Sequence, residues 1–122
     1  MDLIRLLLKE SKMPIALVSI DSVNSQLSDF KDLTEVFHLV YVSTDSKAKE
    51  IYDKLSAIVA VERVTFTPLL DVPNNETDDQ IKNRFQEVVD QCSGPYACLI
   101  ITHHSVINTW RPKLINKEWT VI

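Results

Sequence analysis

Residues 96–107, YACLIITHHSVI, join an uninterrupted apolar run to two adjacent histidines and then to a second apolar run. A run of this kind, with no polar alternation, is the pattern of a strand covered on both faces, as in a parallel sheet with helices on each side. The stretch 97–102 is therefore expected to be the central strand of such a sheet. His103 and His104 mark its end, and Ser105 is placed to cap a short helix, SVINTW, that breaks near Pro112.

Working outward, PIALVSI (14–20) is a second buried strand, and Asp21, Ser22, Asn24 and Ser25 lead it into a loop. Leu27, Phe30 and Leu33 recur at a spacing of three, which predicts a short helix capped by Ser25 or Ser28. VFHLVYVS (36–43) is β-branched and aromatic, hence a third strand. Asp45 or Ser46 then starts a helix from about Lys47 to Ile58, with Ala48, Ile51, Tyr52 and Leu55 on one face.

In ERVTFTPL (62–69), Val64 and Phe66 alternate with polar neighbours and Pro68 follows, as expected of an edge strand. Thr77 with Gln80 three residues later forms a capping box, and Ile81, Phe85, Val88, Val89 and Cys92 make the apolar stripe of the helix it opens. Gly94 and Pro95 stop that helix, and EWTVI (118–122) can add a last edge strand. Strands alternating with helices predict a single α/β domain over 1–122, a three-layer αβα sandwich on a mostly parallel sheet of four to five strands.

Composition narrows the function. The chain carries a net charge of −4 and has no basic stripe to neutralise a phosphate backbone, so nucleic acid is not an expected partner. No apolar stretch is long enough to span a bilayer, and Asp2 and Arg5 interrupt the short apolar segment at the start, so the expectation is a cytoplasmic protein without a membrane partner. Cys92 and Cys98 read as buried free thiols, two thiols without a clustered third ligand make a weak case for zinc, and no metal or cofactor is expected. The single glycine, Gly94, excludes Walker A and dinucleotide-binding loops, which need several glycines for close backbone approach to phosphate.

In parallel sheets, ligands bind outside the carboxyl ends of the strands. That rule gathers Ser19 and Asp21, Ser43 and Asp45, Asp71, and His103 with His104 along one rim. Each residue has a plainer role as well: Asp21 and Asp45 as caps, Lys47 as an exposed lysine at a helix start, and the histidines as strand-end residues. His38 reads as a hydrogen-bonded histidine at the core margin, and Trp110 and Trp119 as core, edge cover or partner anchors.

Four stretches in this order resemble the histidine phosphatase superfamily of phosphoglycerate mutases and SixA-type phosphohistidine phosphatases. IALVSIDSVN resembles its first strand and Arg-His-Gly motif, and VYVSTDSKAKEIYDKL its second strand, Ser-Pro-x-x-Arg-Ala turn and helix. NETDDQIKNRFQEVVDQ resembles the helix before the last catalytic strand, and CLIITHHSVI that strand with its histidine. The likeness implies that the nucleophilic histidine falls at Ile20, its partner arginine at Ser19 and the second arginine at Lys47, so that only His103 matches. The segment between the first two strands is also shorter than in the family. VYVSTDSKAKEI further resembles acylneuraminate cytidylyltransferases, but SIDSVNSQ offers neither the glycine nor the positive charge of their nucleotide loop.

Isoleucine cannot be a nucleophile. The resemblance therefore implies a catalytically degenerate, regulatory or protein-binding module, with Ser19, Asp21, Ser43, Lys47, His103 and His104 as ligand-binding residues and a phosphate-bearing small molecule as a further ligand. The alternative is a small phosphohydrolase or phosphotransfer enzyme in which His103 is catalytic with the strand-end carboxylates Asp21 or Asp45 or with a metal, the rival reading of Asp21, Asp45 and Asp71 being a carboxylate cluster for Mg²⁺.

Overall fold

The computed structural model describes residues 7, 9, 14–20, 30, 36–72, 74–92, 96–112 and 119–122. Five strands form its main sheet in the order β5-β3-β6-β1-β7. These are β1 (Ile15–Ser19), β3 (Leu39–Ser43), β5 (Val64–Thr67), β6 (Cys98–Thr102) and β7 (Trp119–Val121). β1, β3, β5 and β6 run parallel, and β7 closes one edge antiparallel to β1. As the apolar run at 97–102 predicts, β6 is central; VTFT is one edge, and Trp119–Val121 supplies the other.

Period-two alternation sends the strand side chains to two cores. Ala16, Val18, Ile20, Val42, Leu99 and Ile101 pack under α1 (Ser46–Ser56), which contributes Ala48, Ile51 and Leu55. Ile15, Leu17, Tyr41, Cys98 and Ile100 pack beneath α2 (Asp78–Gln91) and α3 (His104–Trp110). The result is an αβα sandwich. Its helix starts follow local chemistry: Asp45 Oδ1 accepts the Lys47 N–H at 2.8 Å, and Thr77 and Gln80 exchange both bonds of the capping box.

Two elements differ from expectation. The 36–43 stretch is two strands, because the chain changes partner at His38. Val36–Phe37 (β2) pairs in parallel with Ala60–Val61 (β4) in a separate two-stranded sheet, whereas Leu39–Ser43 joins the main one. The half-buried His38 ring bonds Glu62 through Nδ1 and meets Tyr96 edge-on, with centroids 4.7 Å apart, so a polar residue inside an apolar run marks the break. The last helix begins at His104, so His103 rather than Ser105 is its N-cap residue, and it makes no side-chain capping bond. The helix expected over 27–33 lies outside the described residues except for the buried Phe30, and so do Asp21 and the Gly94-Pro95 stop.

Candidate functional site

The carboxyl ends of β1, β3 and β6 lie side by side. Ser19 faces Thr102 across the β1–β6 pair, and Val42 faces Ile101 across β3–β6. Among the described residues, Ser19, Ser43, Thr102 and His103 are the buried polar ones, and all four stand at these strand ends. Buried polar groups cost stability unless bonded, so this rim is where the described fold places its unusual chemistry.

Asp71 organises one part of the rim. Its Oδ1 accepts from Ser43 Oγ at 2.7 Å and from the Thr44 N–H at 2.8 Å, and Thr44 Oγ1 donates to Oδ2. Burial alone pushes this carboxyl up, but the Thr44 and Ser43 hydroxyls, the Thr44 N–H and nearby Arg84 together hold it below the ordinary carboxylate value. Arg84, on α2, fixes the 3₁₀ turn Pro68–Leu70 that carries Asp71. It donates to the carbonyls of Leu69 at 2.6 Å and Asp71 at 2.7 Å, and its Nε stands 2.9 Å from Glu76 Oε2. Thr102 Oγ1 ties β6 to the same turn by donating to the Leu70 carbonyl at 2.6 Å.

Asp45 organises the other part. Its N–H donates to Ser43 Oγ at 3.2 Å, one carboxylate oxygen caps α1, and the other lies 3.8 Å from His103 Nε2. That separation is an electrostatic contact rather than a direct hydrogen bond. Lys47 joins the cluster through its backbone N–H, while its side chain is exposed. His104 follows as a half-buried residue of α3. Ile20 completes the rim: fully buried, it packs in the core under α1 and donates its N–H to the Thr102 carbonyl at 3.0 Å.

Of the residues singled out in the sequence, Ser43, Asp45, Asp71 and His103 meet, Ser19 and His104 flank them, and Asp21 is outside the described residues. Among the described residues, no group of three His, Cys, Asp or Glu side chains is arranged to hold a metal ion. Thr44, Arg84 and Thr102 were not foreseen. Thr102 carried a readable sign, a polar residue ending an otherwise apolar strand; Arg84 carried none, because its role depends on a turn 13 to 16 residues away.

The chain matches no protein-family model, and no curated protein is significantly similar to it. Among solved structures, the crystal structure of a phosphoglycerate mutase from Plasmodium falciparum superposes with a TM-score of 0.52, covering 88% of this chain and 84% of that one, at 14% identity. At that identity the likeness is one of architecture: the protein has the fold of a phosphoglycerate mutase, the histidine phosphatase fold.

Proposed function

We propose that the protein is a catalytically degenerate member of the histidine phosphatase fold that acts by binding, as a regulatory module for a protein partner. The observation that carries this reading is Ile20. It lies at the end of β1, beside the β6 end that leads to His103, where the family resemblance calls for a nucleophilic histidine, and its side chain is committed to the core. Ser19 in place of the partner arginine removes the planar cation that would hold a phosphoryl group in two bonds.

The charge of the rim supports the same conclusion. The N-terminus of α1 already has a carboxylate, Asp45, which takes the place an anion would occupy and faces His103. A phosphate-bearing ligand on Lys47 and His103 therefore binds weakly, against that carboxylate. The expected result is no turnover of p-nitrophenyl phosphate or phosphohistidine, with a specific protein partner recovered by affinity capture. The Asp45–His103 contact favours the second reading, a small phosphohydrolase using a carboxylate-paired histidine. A phosphatase rate abolished by His103→Ala but retained in His104→Ala would establish it instead.

A further inference from the structure

Cys92 and Cys98 are the two cysteines of the chain, and the fold sets them against one another. Cys92 is the C-cap residue of α2, and Cys98 is the first residue of β6, where it pairs with Ile15 on one side and Leu39 on the other. Both side chains are buried in the core beneath α2. Cys98 Sγ lies 3.6 Å from the Cys92 carbonyl oxygen and the same distance from that of Tyr96, and the two thiols share a hydrogen bond. Both backbones are anchored, since the Cys98 N–H donates to the Pro14 carbonyl at 2.9 Å and the Cys92 N–H to the Val89 carbonyl at 3.0 Å.

A buried cysteine packs as a small apolar side chain, and that role does not need a second sulfur beside it. What the contact adds is chemistry. A sulfenic acid formed on one sulfur has the other thiol as its neighbouring nucleophile, so it condenses to a disulfide before more oxidant carries it to the irreversible sulfinic acid. Burial slows bulky thiol reagents, whereas hydrogen peroxide is hardly larger than water and enters through smaller fluctuations.

We propose that Cys92 and Cys98 are a redox-sensitive latch, which a peroxide closes to an intramolecular disulfide joining the end of α2 to the start of β6 in the folded protein. The first sulfur takes one peroxide oxygen as the O–O bond breaks, giving a sulfenic acid and one water. The second sulfur displaces that oxygen, forms the S–S bond and gives up its proton, so a second water leaves. The two electrons lost by the thiols reduce the peroxide, and a dithiol reductant reverses the change by exchange. The latch lies at the opposite end of β6 from Thr102 and does not depend on how the rim is read.

The full chain with millimolar hydrogen peroxide at neutral pH, stopped with catalase, is the test. Intact mass is expected to fall by two hydrogens, with both thiols lost to alkylation after denaturation. Peptides cut between the cysteines, after Tyr96, should stay joined until dithiothreitol is added. Near-UV circular dichroism should remain native, and the urea midpoint should rise because a cross-link restricts the unfolded chain. In Cys92→Ser and Cys98→Ser the remaining sulfur has no partner and should proceed to the sulfinic acid. The wild-type readouts stand without these variants. Both thiols surviving, sulfinic acid in the wild type, a disulfide between two chains, or a cross-linked monomer that has lost its native spectrum or has a lowered midpoint overturns the proposal.

Discussion

Ile20 donates its backbone N–H to the Thr102 carbonyl at 3.0 Å, which carries the β1–β6 ladder one residue past the Ser19–Thr102 pair and up to the segment bearing His103. The position is structural as well as topological, because its side chain is fully buried. Ile20→Val is expected to cost about 0.5–1.5 kcal/mol and Ile20→Ala about 2–5 kcal/mol in urea denaturation. Ile20→His should also destabilise, because an imidazole enters an apolar core. Wild-type stability in Ile20→Ala would show that the side chain is not part of the core.

Asp71 contributes to the acid limb of the stability curve. Its folded pKa lies below its unfolded value, so its contribution is present above the ordinary carboxylate pKa of about 4 and is lost as pH falls through the lowered folded value. Asp71→Asn should be less stable than wild type at pH 7, and the gap should narrow on acidification below about pH 4. A gap that stays constant from pH 7 to pH 2 would contradict the account.

Thr102→Val tests the tie between β6 and the 3₁₀ turn. The substitution keeps the shape but leaves the Leu70 carbonyl without the donor that reaches it at 2.6 Å, for an expected loss of about 1–3 kcal/mol. Hydrogen exchange should accelerate first around 68–71. Unaltered exchange there would mean that the turn is held by Arg84 alone.

Cys92 and Cys98 are each 1% exposed and free. The hydrogen bond with Cys98, then burial, push the Cys92 thiol well above its ordinary value. Reaction with a chromogenic disulfide reagent at pH 8 should therefore proceed only as fast as the protein opens, and guanidinium should release both thiols. Two thiols titrating within seconds in native buffer would refute this.

Much of the fold was legible because its signals are local. The apolar runs at 14–20 and 97–102 report burial on both faces, and the Thr77–Gln80 box reports a helix start within four residues. The division at His38 was not legible, since it depends on pairing with Glu62 and with β4, 22 to 24 residues away. At the rim, the parallel-sheet rule brought Ser43, Asp45, Asp71 and His103 together on paper. It could not show that Asp71 is engaged by Ser43 and Thr44, or that Asp45 turns one oxygen to the α1 cap and the other toward His103. Those details are set by side-chain geometry across elements, for which a single sequence carries no periodic signal.

The central claim of the proposal is that no residue of the rim becomes phosphorylated, Ile20 standing where the family resemblance calls for the nucleophilic histidine. Incubation with acetyl phosphate and with phosphohistidine, followed by intact-mass spectrometry at alkaline pH, tests it most directly, because phosphohistidine survives in base. The account predicts an unmodified chain throughout. A phosphoryl adduct that maps to His103 and vanishes in His103→Ala would contradict it.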